Sequence, residues 1–348
     1  MLKQLRTLHF GIVMLVIIGA GCANQAPHLQ QRETSGKVWP SPPDVARIQY
    51  LYSISRPEDI GVSPSFFKKV VRVLTGKKRS PQIVRPYGIY ASGEDVLYVA
   101  DPGMRAVHMF DLKECRYETI KQFKKENFIS PIGVTMDSKG FLYISDSILK
   151  TVFVFNEKGD PERKIGGADQ LIRPTGIAFH PLLERLYVVD TNAHLIQVFD
   201  LAGQLLHSIG KRGTGEGAFN YPTSLTIDRE GLLYVTDSLN FRIQVFNSGG
   251  EFLNLFGKHG DGMGEFSHPK GVALDSEGDI YVTDAIFDAI QVFDKTGTLL
   301  LFLGEAGQGP GQFWIPTELF IDQTDRIFVA DSYNQRVQVL RFIGGGEL

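Results

Sequence analysis

Six times the chain runs through a short apolar segment that ends on an aspartate, at Asp101, Asp146, Asp190, Asp237, Asp284 and Asp331, with spacings of 45, 44, 47, 47 and 47 residues. A register this regular demands a repeat architecture, because a unit of this length cannot bury its apolar face alone and must stack on copies of itself. Several short strands per unit at this period mark propeller blades.

Each unit reads alike. A proline precedes a short apolar first strand such as Gly133-Val134-Thr135-Met136 or Gly271-Val272-Ala273-Leu274. Turn residues follow, as in Asp137-Ser138-Lys139-Gly140, and make a hairpin. The second strand carries an aromatic between aliphatics, as in Leu142-Tyr143-Ile144 and Leu233-Tyr234-Val235, a pattern suited to sheets packed face to face. A third strand alternates, as in Ile290-Gln291-Val292-Phe293, and a fourth follows a glycine turn, as in Gly297 to Gly304. The reading is an all-β, six-bladed propeller with four strands per blade.

The sixth unit stops after its third strand, at Arg341-Phe342, and the remaining Gly-rich residues cannot supply a fourth. Residues 47–54 read like the other fourth strands, so the expectation is that this N-terminal segment closes the ring beside the sixth blade and removes an exposed edge.

Asp237-Ser238-Leu239-Asn240-Phe241-Arg242 and Asp331-Ser332-Tyr333-Asn334-Gln335-Arg336 look like the signature of NHL repeats, and the resemblance extends over residues 82–342. It is strong in the last three units. The first three lack the Asn and Arg and carry Met104 and Ala106, Leu149 and Thr151, Ala193 and Leu195 instead.

Ahead of the repeats, Lys3 and Arg6 precede an uncharged apolar run, Phe10–Ala20, of signal-peptide length. Gly19-Ala20-Gly21-Cys22 resembles the lipobox of bacterial lipoproteins, although Gly19 stands where that family usually has an aliphatic residue. The resemblance implies that Cys22 is acylated and becomes the mature N-terminus. It also implies a membrane-anchored protein, of the outer membrane facing the periplasm or of the cell surface. Only Cys115 would then remain, read as a plain strand residue, with no intramolecular disulfide possible. The expected domains are a signal peptide at 1–21, a flexible Pro-rich tether at 22–46, a closing strand and short helix at 47–81, and the propeller at 82–348. The helix, around residues 64–75, joins an apolar face to a basic one and reads either as a cap on the propeller or as a docking element.

A search for chemistry leaves little. The chain is 43% hydrophobic and 22% charged with net charge −3, which describes a globular core and gives no reason to expect nucleic acid. The Gly-rich stretches 210–219, 257–266 and 304–313 return to strands at Pro222, Pro269 and Pro316 and not to helices, so they read as blade crossings plugged by Phe219, Phe266 and Phe313, not as phosphate loops. The inner strands open with Gly88, Gly133, Gly176, Ser224, Gly271 and Glu318. One Glu318 does not make a divalent-metal site, and the histidines share no position in the repeat. No catalytic residue, metal ligand or cofactor is assigned. The repeated Asp is expected to accept from turn N–H groups just after it, with Arg242 and Arg336 bracing neighbouring loops.

The function expected is therefore a membrane-anchored, extracytoplasmic binding or scaffold module, with a propeller enzyme of the metal-dependent lyase or lactonase kind as the alternative. The binding face is expected to be the one carrying the loops between second and third strands and the crossings. There Arg105, Lys150 and His194 take the fourth position after the Asp, and Arg85 and Arg173 precede the inner-strand prolines, against Phe241, Asp288 and Gln335 in the later units. A protein or other anionic partner suits a face basic on one side.

Overall fold

The structure, a computed structural model, describes residues 36–62, 82–93 and 95–344. Among them, antiparallel sheets succeed one another in chain order. Blade 1 consists of Ile89–Ala91, Val96–Asp101, Ala106–Asp111 and Arg116–Ile120, and blade 2 of Pro131–Met136, Leu142–Asp146, Thr151–Phe155 and Pro161–Gly166. Blade 3 runs through Pro174–His180, Arg185–Asp190, Leu195–Asp200 and Leu205–Ile209. Blade 4 follows with Pro222–Ile227, Leu233–Asp237, Arg242–Phe246 and Phe252–Phe256, and blade 5 with Pro269–Leu274, Ile280–Asp284, Ala289–Phe293 and Leu299–Leu303. Blade 6 has Pro316–Ile321, Arg326–Asp331 and Arg336–Phe342, then Ile48–Ile54 from the far end of the chain. A small hairpin, Gln122–Phe123 with Glu126–Asn127, bridges blades 1 and 2.

Burial follows the strand alternation. Six apolar clusters form, one between each pair of neighbouring blades, and the cluster of Ile54, Phe110, Phe328 and Val339 joins blade 6 to blade 1. Tyr143, Tyr187 and Tyr281 of the second strands are fully buried in these interfaces. Because each blade shares a core with both neighbours, the ring has no free face where cooperativity could break.

The closing strand runs antiparallel to Arg336–Phe342, from Ile48 opposite Phe342 to Ile54 opposite Val337, with one extra residue between Tyr50 and Tyr52. Blades 2 to 5 carry the same irregularity where their outer strands pair, as between Val292 and Phe293. The N-terminal strand therefore matches its counterparts down to the bulge, which lets Ile48, Tyr50 and Ile54 all turn inward.

Two expectations need correction. Residues 38–39 are not tether: Val38–Trp39 add a fifth strand to blade 6. Trp39 is 9% exposed and covers Gly311, where a Cβ would lie 2.3 Å from the indole. Burial of a large aromatic outweighs the extended preference of its proline-rich surroundings. Cys115 is a turn residue between third and outer strands, in the left-handed region at φ 51°, and not a strand residue. The signal peptide, Cys22 and the helix at 64–75 lie outside the described residues.

Candidate functional site

The channel through the ring has two mouths. Inner strands start at the loop face, where second strands end and crossings arrive, and they finish at the opposite turn face.

On the loop face the six repeated aspartates are all fully buried. Each accepts backbone N–H groups from the crossing that enters its own blade: Val84 and Arg85 bond Asp101, Ile172 and Arg173 bond Asp190, and Trp314 bonds Asp331, at 2.7–3.1 Å. Turn N–H groups after the Asp add to this in several blades, as from Met104 and Leu149. The aspartate thus fastens two loops, where the sequence pattern indicated only one. In blades 4 and 6 the NHL-type side chains complete the cluster. Arg242 Nε donates to Asp237 at 2.8 Å while its Nη2 donates to the Gly215 and Ala218 carbonyls, and Arg336 repeats this around Asp331. Blade 5 does not share the set, since Phe287 and Ala289 stand where Asn240 and Arg242 do. In blade 1 His108 substitutes, with Nε2 3.1 Å from Asp101 and Nδ1 2.7 Å from the Tyr117 hydroxyl. The aspartates and both arginines are structural.

Inside the mouth, Tyr87, Ile132, Thr175, Thr223, Lys270 and Thr317 hold equivalent positions after the prolines. Three threonines tie inner strands together: Thr175 donates to the Thr223 carbonyl, Thr223 to that of Lys270, and Thr317 to that of Pro86. One residue deeper the strands nearly touch, and a Cβ on Gly133 would fall 2.3 Å from the Thr175 oxygen. Glu318 lies at this level. Its carboxyl passes over Gly271 and receives the Ser224 hydroxyl at 2.9 Å. Burial pushes Glu318 up to about 8, so it carries a proton at neutral pH. Burial, and then the neighbouring Arg173 guanidinium, pull Lys270 down to about 8, with Asp284 opposing. Tyr87 rises to about 12, through burial first and Glu318 next, against Arg173.

At the turn face the channel widens into a cavity of about 730 Å³ with Glu318 and Ser224 on its floor. Half-buried Tyr90, Met136, Phe179 and Phe320 contribute to its wall. The rim carboxylates Asp137, Asp228 and Asp275 are each engaged by turn N–H groups and by a tyrosine hydroxyl of the same blade, Tyr143, Tyr234 and Tyr281 respectively. Among the described residues no group of three or more His, Cys, Asp or Glu side chains is placed to hold a metal ion.

The structure puts all the sequence-selected contact residues on the loop face, but in different environments. Arg85, Arg105 and Arg173 are exposed, Lys150 and Phe241 half-buried. Arg85 lies 5.3 Å over the Tyr333 ring, and Phe241 packs on His259 at 4.3 Å. His194 is not an available contact: it is 5% exposed, and its Nδ1 accepts the Tyr221 N–H at 3.2 Å. Asp288 makes the same bond to Ile315, so this position serves to fasten the next crossing. Arg105, Lys150, His194, Phe241, Asp288 and Gln335 all adopt φ between 51° and 59°, so the shared position is set by the turn. What the sequence reading missed is apolar: Ile148, Leu239, Ile286 and Tyr333, each two residues after its aspartate, are exposed on this face, as are Ile129, Ile172 and Trp314 beside the prolines.

Residues 219–246 match the model described as NHL repeat, and residues 274–342 match one described as 6-bladed beta-propeller. The chain is a six-bladed β-propeller carrying NHL-type repeats. Over 65 residues this propeller is 32% identical to the human E3 ubiquitin-protein ligase NHLRC1, covering 19% of the chain and 16% of that protein, so it spans about a sixth of that relative. Virginiamycin B lyase from Staphylococcus aureus superposes with TM-score 0.56 at 16% identity, over 75% of the propeller chain and 96% of the lyase. An auxiliary nutrient binding protein from Bacteroides thetaiotaomicron gives 0.59 at 12%, over 75% and 69%. At these identities the likeness is one of fold.

Proposed function

We propose that the propeller is a binding or scaffold module that docks a protein partner on its loop face. The observation that carries this is the set of exposed apolar side chains collected there, with Ile148, Ile172, Ile286, Trp314 and Tyr333 around the mouth and Arg85, Arg105, Lys150 and Arg173 among them. Isolated exposed apolar residues are ordinary, but a collection on one face marks an interaction surface. Interleaved cations favour a partner whose own surface is apolar and acidic, because complementary charge raises encounter rates and fixes orientation. Acylation of Cys22 would hold this face at a membrane, a step that mass spectrometry of the mature N-terminus tests.

Reversing Arg105 and Lys150 to Glu is the direct experiment. Neither side chain forms an ion pair within the fold among the described residues, so the melting temperature should stay within a degree or two while co-purification of the partner from native membranes is lost. Undiminished co-purification would place the docking surface elsewhere. One observation favours an enzyme as the second reading: the channel holds an acid and an amine, Glu318 and Lys270, that both titrate near 8, the range in which proton transfer at neutral pH is effective. Turnover lost in Glu318→Gln with partner binding retained would favour that reading.

A further inference from the structure

The ring of residues just inside the loop-face mouth has one position that works against the fold. Blades 3, 4 and 6 place Thr175, Thr223 and Thr317 there, and each hydroxyl bonds a carbonyl of the next blade. Blade 5 places Lys270, which ties nothing. It accepts the Thr223 hydroxyl through its backbone carbonyl, while its half-buried ammonium has neither an ion pair nor a hydrogen bond among the described residues. A second cation, Arg173, is near enough to act on it, and it too has no ion pair among the described residues. The Tyr87 hydroxyl, at the equivalent position of blade 1, is within the influence of Arg173 and has no hydrogen-bond partner among the described residues either.

No carboxylate among the described residues pairs directly with these groups, although the Asp284 charge acts on Lys270. Asp284 is occupied by the N–H groups of Ser267, His268 and Ile286. Glu318 is held by Ser224 and is protonated at neutral pH, so it offers no charge. Tyr87 and Lys270 thus hold positions just inside the mouth in blades 1 and 5, Arg173 acts on both from the crossing into blade 3, and all three can donate. A half-buried, unpaired ammonium within the field of a like-charged guanidinium is destabilising, and such departures from the repeat concentrate where a fold serves a ligand.

We propose that this throat is an oxyanion receptor, in which Lys270 and Arg173 clamp a carboxylate or phosphate that also accepts the Tyr87 hydroxyl. It lies at the centre of the proposed docking face and deepens that reading. The oxyanion is either an acidic side chain inserted by the docked partner or a free solute.

The test uses the full chain in chloride buffer of constant ionic strength, titrated calorimetrically with three probes: inorganic phosphate, citrate, and a terminally blocked hexapeptide with two central glutamates. Saturable binding by at least one probe, weakened at least tenfold in both Lys270→Met and Arg173→Gln, is the expected result. Loss confined to the peptide assigns the oxyanion to a protein partner, and loss confined to phosphate or citrate assigns it to a solute. Lys139→Met, which alters an exposed pair with Glu184 on the turn face, should bind as wild type does. Without any probe Lys270→Met should melt at a higher temperature than wild type, since it removes a half-buried charge that has no ion pair, so misfolding does not confound the readout. No saturable binding by any probe, or equal affinities in wild type and both variants, overturns the proposal. Arg105→Glu/Lys150→Glu should keep small-anion binding while losing the partner, which separates failure of the throat from failure of the docking face.

Discussion

Ser224 and Glu318, 94 residues apart, meet across the channel with the serine hydroxyl 2.9 Å from Glu318 Oε1. They belong to blades 4 and 6, and the contact exists because blade 5 places Gly271 between them, where a Cβ would come within 2.6 Å of that same oxygen and 2.9 Å of the Thr317 carbonyl.

Gly271→Ala should therefore destabilise the ring by about 1–3 kcal/mol, the usual cost of overpacking where backbone cannot retreat. Urea denaturation followed by tryptophan fluorescence measures it. Stability equal to wild type would mean that the inner strands are not held at the observed separation.

Glu318 also predicts a pH dependence. Its folded pKa of about 8 lies above the ordinary 4.5, so the folded state binds the proton more tightly than the unfolded one. That contribution is complete below about pH 4.5 and is lost as pH rises towards 8. Asp275, raised by burial to about 6, acts in the same direction but is exhausted earlier. Lys270, lowered to about 8, acts oppositely: its cost is present below 8 and relieved as pH climbs beyond. Between pH 6 and 8 the Glu318→Gln variant should lose less stability than wild type. Parallel stability curves for the two across that window would contradict the raised pKa.

Ile48, Tyr50 and Ile54 anchor the closing strand in the cores that blade 6 shares with blades 5 and 1. Deleting residues 47–54 removes these side chains, each contributing roughly 1.5–3 kcal/mol, and opens an edge. A loss of several kcal/mol with concentration-dependent association is expected. Differential scanning calorimetry and light scattering report both, and a truncated chain that melts like the full one and stays monomeric would refute the closure.

Two arginine–aspartate pairs should behave differently. Arg242 is 11% exposed and bonded to the fully buried Asp237, whereas Arg116 is 65% exposed on Asp111. Arg242→Ala strips one donor from a buried carboxylate and two from loop carbonyls, and about 2–4 kcal/mol should be lost; Arg116→Ala, on a solvent-screened pair, should cost far less. Thermal denaturation of the two variants compares them directly, and similar losses would contradict the structural role given to the NHL-type arginine.

The 44–47-residue period, the hairpin turns and the missing sixth-blade strand were legible in the chain because they are local or count-based: strand alternation has a period of two, and an unpaired edge must find a partner. Residues 47–54 can therefore be paired with the strand ending at Phe342 from the sequence alone, as the structure pairs Ile48–Ile54. The fate of Trp39 was not legible, since its proline-rich surroundings say nothing of the space left over Gly311 by another blade. Nor was the burial of His194, whose loop position resembles that of exposed Arg105 until the Tyr221 amide is brought to its Nδ1. The charge states in the channel depended most on tertiary structure. Glu318 and Lys270 are ordinary ionisable residues in sequence, and only the convergence of six inner strands, which expels water around them, moves both towards 8.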